Sequence, residues 1–360
     1  MWILIRNFDY DYTNFSRLFY RGEYRQKTLG AMKLMGKIFA VIVTVLILMI
    51  VGVLAYVNTA LPAVENAPEL SVELSPERIE RGKYLANYVY LCTDCHSDRN
   101  YAQFGHILDE ENIGKGGNLF GLEHGFPGDF YAKNLTPYNL GDWTDGEIYR
   151  AITSGVDNEG EPMFPIMPYP NYAQVDPEDI YDIIAYLRTL EPVAHDVPES
   201  SAPFPMSLII RTMPTNPQMN SKPDLSDKIA YGKYLVTAAS CADCHTPIDE
   251  RGGRLPGMDF AGGMDFHVPG GLVKSANITP DPQTGIGTWS EEAFVAAFKR
   301  FEDPNHEVNN RQLTPGEYNT SMPWRLYSKM NEEDLSAIYA YLQTLAPVSN
   351  TMERFVAVND

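Results

Sequence analysis

The 360-residue sequence predicts a mostly α fold, with a single N-terminal transmembrane helix followed by two tandem units of one kind. Three observations carry this reading. An uncharged apolar run near the N-terminus is long enough to cross a bilayer. The pentapeptide Cys-x-x-Cys-His occurs twice and uses all four cysteines. The landmarks around the first pentapeptide recur in the same order around the second, and a repeat of this kind sets the architecture before any single element does.

The apolar run extends from Ile38 to Val57, 20 residues without a charge, with Lys33 and Lys37 before it and no charged residue after it until Glu65. About 20 apolar residues span a bilayer core, whereas a cleavable signal peptide has an apolar region of roughly 7 to 15. A retained anchor at 37–57 is the expectation; cleavage near Ala60 to Ala63 is the alternative, although Ala-Leu-Pro-Ala only loosely resembles a small-residue cleavage site. Residues 1–37 hold seven Lys or Arg against Asp9, Asp11 and Glu23, a net of +4. By the positive-inside rule residues 1–36 face the cytoplasm, and the rest of the chain is exported across the bacterial inner membrane to the periplasm. The first 31 residues mix Trp2, Phe8, Tyr10 and further aromatics with arginines and read as an interfacial segment, or as lying upstream of a translation start at Met32 or Met35. Of the whole chain's −19, the part after residue 37 carries −23. Such a body repels phosphates, which excludes nucleic acid as a partner and favours a basic one.

The pentapeptides are Cys92-Thr93-Asp94-Cys95-His96 and Cys241-Ala242-Asp243-Cys244-His245. Two thiols three positions apart can add across the two vinyl groups of one haem, and the adjacent imidazole then lies under the iron as its proximal ligand. A thioredoxin-type redox pair does not need the following His. A four-cysteine zinc site would have to join pairs 149 residues apart, far beyond ordinary knuckle spacing. The expectation is two covalently bound haem c groups, held by Cys92 and Cys95 and by Cys241 and Cys244, with His96 and His245 on the iron. Thioether attachment takes place outside the cytoplasm, in agreement with the anchor.

Around these motifs Arg81-Gly82-Lys83-Tyr84-Leu85 matches Tyr231-Gly232-Lys233-Tyr234-Leu235, and Asn134-Leu135-Thr136-Pro137 matches Asn277-Ile278-Thr279-Pro280. Trp143 matches Trp289, Met167-Pro168-Tyr169 matches Met322-Pro323-Trp324, and Ala185-Tyr186-Leu187 matches Ala340-Tyr341-Leu342. Thr144 with Glu147 forms a capping box before a middle helix, and Ser290 with Glu291 and Glu292 opens its counterpart from Phe294 to Phe301. Asp176-Pro177 caps a closing helix with apolar positions Ile180, Ile183, Ile184 and Leu187, ending before Pro192. Its counterpart runs from Asn331 through Leu345 and ends before Pro347. Gly82 with Tyr186 and Gly232 with Tyr341 are placed for a close crossing of entering and closing helices. Few strands are expected among the Gly- and Pro-rich loops. The divisions are a stalk at 58–77, a first unit at 78–196, a Pro-rich semi-rigid linker at 197–225, a second unit at 226–350 and a tail at 351–360. Within the linker, Met206 to Ile210 is apolar enough to pack on one or both units.

In CTDCH, CADCH, NLTP, NITPDPQTGIGTW, GVDNEGEPMFPIMPYPNY and the closing helices IAYLRTL and IYAYLQTL, the chain resembles the membrane-anchored dihaem cytochromes c, over about residues 78 to 348. The resemblance implies two tandem cytochrome c-like haem domains, each with His below the iron and Met above it: His96 with Met167, and His245 with Met322. His/Met ligation raises the reduction potential relative to two nitrogen ligands. Met163, His106, His124, His267, His306, Met258, Met264 and Met330 are the other candidate distal ligands. Trp143, Trp289, Tyr169 and Trp324 read equally as haem-edge hydrogen-bond donors or as core packing, and Arg150 and Arg325 as propionate partners or surface charges.

Six-coordinate iron leaves no open site, so the expected function is electron transfer without substrate chemistry. The expected donor is a quinol-oxidising complex or periplasmic dehydrogenase, and the acceptor a terminal oxidase. A dihaem peroxidase is the enzyme alternative and needs one iron able to free a position for peroxide. A cytochrome subunit fixed to a membrane-bound dehydrogenase shares all these residues and differs only in partner.

Overall fold

A computed structural model describes residues 12–250, 252–268, 270–314 and 316–357. Trp2, Phe8 and Tyr10 of the aromatic segment lie outside them. Helix α1, Tyr12–Ala60, contains the apolar run and continues it toward the N-terminus; from Lys27 to Ala60 it is long and apolar enough to cross a membrane. A helix suits that role because it satisfies every backbone polar group internally. Leu61–Asp360 form a separate compact unit.

The compact unit contains the same helical arrangement twice. In the first half α2, Pro76–Tyr84, starts from an N-cap at Ser75 with proline in its first turn and Glu77 near its positive end. It passes through a π-helical turn, Leu85–Val89, before the short α3, Cys92–Cys95. In the second half α9, Lys228–Ala238, leads to α10, Cys241–His245, without any π turn. Ten positions separate Gly82 from Cys92 but nine separate Gly232 from Cys241. The π turn absorbs the extra residue and keeps both motifs in the same place relative to their helices.

After α3 come the hairpins β1–β2 (Arg99–Asn100 with Ile107–Leu108) and β3–β4 (Leu119–Phe120 with Phe130–Tyr131), then α4, Pro137–Leu140. Helix α5, Asp145–Ser154, begins with the capping box read from Thr144 and Glu147. After a one-turn helix α6, Tyr169–Tyr172, the closing helix α7, Pro177–Leu187, starts from Asp176. The linker carries α8, Met206–Ile209. The second half has β5, Asp265–Val268, and β6, Gly271–Lys274, then α11, Glu291–Lys299, capped by Ser290, α12, Trp324–Tyr327, and α13, Glu332–Leu342. Helix α7 ends before Pro192 as expected, whereas α11 and α13 stop two and three residues short of Phe301 and Leu345. The strands are few and short among the described residues. The expected tail is a strand: β7, Phe355–Ala357, pairs antiparallel with β6.

The entering and closing helices cross without side-chain separation. A Cβ on Gly82 would lie 1.7 Å from the Asp182 carbonyl oxygen, and one on Gly232 would lie 1.8 Å from that of Ala337. Tyr186 and Tyr341 are the next neighbours at 3.0 Å, the pairs read from the sequence.

The two halves share one apolar core, in which Leu85, Val89, Ile180, Ile183 and Ile184 of the first meet Leu235, Leu335 and Leu342 of the second. Hydrogen bonds between the halves are reciprocal. Tyr84 Oη of α2 donates to Asp334 Oδ2 of α13 at 2.5 Å and accepts from the Asn331 N–H at 3.0 Å. Tyr234 Oη of α9 donates to Asp179 Oδ2 of α7 at 2.7 Å and accepts from the Asp176 N–H at 3.1 Å. Both carboxylates are buried, and each is satisfied further, Asp334 by Tyr231 Oη and Asp179 by Lys222 Nζ. Buried polar groups paired in this way fix a register instead of costing desolvation.

The stalk lies on the body. Arg211 donates to the Leu61 carbonyl at 3.2 Å, the Glu65 N–H to Asn216 Oδ1 at 2.8 Å, and the Val72 N–H to Asp145 Oδ2 at 2.8 Å. At Gly146 a Cβ would lie 1.9 Å from the Pro68 carbonyl oxygen.

Candidate functional site

Each Cys-x-x-Cys pair sits on one helical turn, where positions three apart share a face. The turn is entered through a non-glycine residue in the left-handed region, Leu91 (φ 56°) in the first half and Ser240 (φ 54°) in the second. This conformation is costly for an L-residue and persists where neighbours impose it. Tyr172 Oη donates to the Tyr90 carbonyl at 2.9 Å, and Tyr327 Oη donates to the Ala239 carbonyl at 3.0 Å, so each kink is held from the residue before it. Sequence reasoning missed these two tyrosines, although each lies three residues after the aromatic of its Met-Pro landmark.

The four thiols are free, with no disulfide. Burial pushes the Cys92 and Cys241 thiols up to about 12, the reverse of the depressed value that activates a redox or metal-binding thiolate. Among the described residues no group of three or more His, Cys, Asp or Glu side chains is placed to hold a metal ion.

The histidines are oriented in the same way. His96 Nδ1 lies 2.6 Å from the Lys133 carbonyl oxygen, and His245 Nδ1 lies 2.7 Å from that of Ala276. A carbonyl only accepts, so Nδ1 carries the proton and Nε2 keeps its lone pair for a metal. Burial lowers both imidazole pKa values, with the carbonyl bond opposing it, and so favours the neutral, ligating form.

Those carbonyls immediately precede Asn134 and Asn277, which gives the repeated Asn-x-Thr-Pro segment its purpose. Asn134 Oδ1 accepts from the Thr136 N–H and hydroxyl, and Asn277 Oδ1 accepts from those of Thr279. Their amides donate to the Val193 and Val348 carbonyls, tying the turn to the chain beyond each closing helix. On the other side, the Gly116 and Gly262 N–H groups donate to the His96 and His245 carbonyls at 2.9 and 2.7 Å. Both glycines have positive φ, and a Cβ on either would come within 2.6 Å of the backbone that holds the imidazole. Sequence reasoning missed this pair too; the doublets Gly116-Gly117 and Gly262-Gly263 were its signal.

Met167 and Met322 are both partly buried against the core that also packs Cys92 and Cys241. Their carbonyls accept from the Tyr169 and Trp324 N–H groups at 2.7 and 2.8 Å, so both Met-Pro turns have one geometry. The competing ligands have other surroundings. Met330 is a fully buried core side chain, His124 and His267 are exposed, and His306 caps a turn by accepting from the Val308 N–H. His106 is half-buried beside Tyr101, with ring centroids 4.6 Å apart.

Several buried donors lack an acceptor: Arg150 Nε and Tyr169 Oη in the first half, Arg325 Nε in the second. Unpaired buried donors are costly and call for a partner with acceptor oxygens, as a haem propionate has. The residues present therefore fit a haem. Of the aromatics, Trp143 packs on the core and Trp324 stacks on Phe301 at 5.2 Å, whereas Trp289 is 42% exposed. A cavity of about 510 Å³ borders the second motif at Ala242 and is lined by Val236, Phe260, Tyr341 and Leu345 among others.

The first half's Met-Pro turn reaches the second motif. Asn171, just after the first Met-Pro turn, donates through Nδ2 to Ser240 Oγ at 3.0 Å and Asp243 Oδ2 at 2.7 Å of the second motif. Burial, then the nearby Cys241 and Cys244, hold the Tyr327 phenol well above its ordinary value.

Residues 229–346 match the cytochrome c family model. The cytochrome c subunit of a quinone-dependent alcohol dehydrogenase of Gluconacetobacter polyoxogenes is 31% identical over 63% of this chain and 50% of its own length. The fructose dehydrogenase cytochrome subunit of Gluconobacter japonicus is 26% identical over 84% of this chain and 58% of its own. A dihaem c-type cytochrome of Cereibacter sphaeroides is 27% identical over 79% of this chain and 91% of its own. The chain thus spans between half and three-fifths of the length of these two dehydrogenase subunits.

Proposed function

We propose that this chain, which belongs to the membrane-anchored cytochrome c family, carries two covalent haems and passes electrons without acting on a substrate. The observation that carries the proposal is the duplication of one ligand-orienting device. In each half a Cys-x-x-Cys-His turn presents a histidine whose Nδ1 is committed to a carbonyl, and a Met-Pro turn is seated on the same core. On this reading Cys92, Cys95, Cys241 and Cys244 hold the haems, His96 and Met167 ligate one iron, and His245 and Met322 the other. When bound, the haems supply one-electron Fe(III)/Fe(II) chemistry. The protein's part is to fix the axial side chains, exclude water from them and keep the two sites adjacent. The shared core and the reciprocal tyrosine–aspartate bonds support the last role, since they leave little freedom for the halves to separate.

The anchor at residues 37–57 places the body on the periplasmic side of the inner membrane. There it serves a quinol-oxidising complex or dehydrogenase as donor and an oxidase as acceptor. A second reading, a permanent cytochrome subunit of a membrane-bound dehydrogenase, is favoured by the names of the relatives in Gluconacetobacter and Gluconobacter. The dihaem c-type cytochrome, aligned over 91% of its own length, supports the two-haem reading. Native electrophoresis of gently solubilised membranes with haem staining separates the free carrier from the permanent subunit. Migration as the chain alone is expected for a carrier, and co-migration with a flavin- or quinone-bearing subunit would establish the second reading.

A further inference from the structure

The two methionine turns are approached differently. Twenty-four positions separate Trp143 from Met167, but 33 separate Trp289 from Met322. In the first half the shorter path closes on itself. The Met163 N–H donates to the Gly155 carbonyl at 2.8 Å, and Asp157 Oδ1 accepts from the Glu159 and Glu161 N–H groups at 3.1 and 2.9 Å. In the second half the longer path takes partners from outside, in the loop of the first half's β1–β2 hairpin.

That loop, residues 101–106, lies along Arg311 to Asn319. The Phe104 N–H donates to the Arg311 carbonyl at 3.2 Å, the Leu313 N–H donates to the Ala102 carbonyl at 2.9 Å, and Gln103 and Gln312 form an antiparallel bridge between them. Phe104 is buried, its ring against Phe301 and Tyr318 at centroid distances of 6.3 and 6.1 Å. Asn319, three positions before Met322, is fully buried and joins the two segments. Its Oδ1 accepts from the Gly105 N–H of the first half at 3.1 Å and from the Thr320 N–H at 2.8 Å, and its Nδ2 donates to the Tyr101 carbonyl at 3.4 Å. Thr320 Oγ1 in turn accepts from the Met322 N–H at 3.1 Å. A hydrogen-bonded series thus runs from the first half's loop to the backbone of Met322. A buried amide satisfied on both sides is held in place, and its removal strands the groups it served.

We infer that Asn319 is a positioning residue for Met322, and that the first half's 101–106 loop acts through it to set how firmly the second half's methionine is presented to iron. This rests on the reading of Met322 as an axial ligand. Groups that orient a ligand tune its bond to the metal, and their loss weakens that bond by roughly 10- to 100-fold.

The test titrates the oxidised holoprotein with imidazole, which competes with methionine for iron, and follows the Fe–S(Met) charge-transfer band. The proteins are the wild type, Asn319→Ala, Phe104→Ala, Met322→His, and Asn319→Ala combined with Met322→His or with Met167→His. In Asn319→Ala one half of the band is expected to yield at an imidazole concentration about tenfold lower than in the wild type, with the other half unmoved. The shift should persist beside Met167→His and vanish beside Met322→His. Phe104→Ala, a change made wholly in the first half that leaves Asn319 in place, should move the same half of the band in the same direction. It carries the test if Asn319→Ala fails to take up haem. Imidazole midpoints equal to those of the wild type, or a shift of both halves of the band together, overturn the inference while Met322→His still removes half of the band. A Met322→His variant that keeps the whole band overturns the ligand reading itself.

Discussion

Replacing Cys92 and Cys95 together by alanine is expected to halve the haem that stays bound to the polypeptide through denaturation, from two groups per chain to one. The thioethers are the only bonds that survive unfolding, and the four cysteines are divided between two separate helical turns, α3 and α10, so neither pair can stand in for the other. His96 keeps its carbonyl partner in the variant, so some haem can remain in the native protein without covalent attachment; the assay is therefore a pyridine haemochrome on denatured chain. Unchanged covalent content would overturn the attachment assignment. Replacing Cys241 and Cys244 is expected to give the complementary half.

Gly232→Ala is expected to destabilise the second half by about 3 kcal/mol, the upper end of overpacking costs, and Gly82→Ala the first half by a similar amount. Each added Cβ meets a backbone oxygen, at 1.8 Å from Ala337 and 1.7 Å from Asp182, and backbone cannot rotate aside as a side-chain tip can. The helices must separate, which loosens Leu235 against Leu335 and Leu342 and the reciprocal bond from Tyr234 to Asp179. Lys233→Ala, on the neighbouring exposed position of the same helix, is the control and should be silent. Denaturant unfolding of the purified full chain, followed by haem absorbance, reads the difference. A Gly232→Ala midpoint equal to that of Lys233→Ala would show that the crossing is not close.

Much of this architecture was legible because it is written in local chemistry. The capped starts of α5, α7 and α11 follow from Thr144, Asp176 and Ser290, and the close crossing from two glycines set against two tyrosines. What the sequence did not disclose depends on contacts across long separations. Tyr84 and Tyr234 look like ordinary partners in a repeated helix; that each donates to the other half's closing helix appears only in three dimensions. The Asn-x-Thr-Pro segments were visible as landmarks, but their role in holding the carbonyls of Lys133 and Ala276 on the imidazoles was not. Tail and stalk read as passive from their composition. The tail pairs as β7 and the stalk is strapped from Leu61 to Val72, since both find backbone partners that no local pattern announces.

The central claim is that the two halves hold two haems of one ligation type and leave no site for substrate. A redox titration of the full chain, following the charge-transfer band of the Fe–S(Met) bond in the wild type, Met167→His and Met322→His, tests it most directly. The account predicts two low-spin, methionine-ligated haems in the oxidised wild type. Each single variant should lose one contribution to the band and lower one potential, because a thioether favours Fe(II) more than a second imidazole does. A variant that leaves band and potentials unchanged, or a wild-type high-spin haem that binds peroxide, would contradict it.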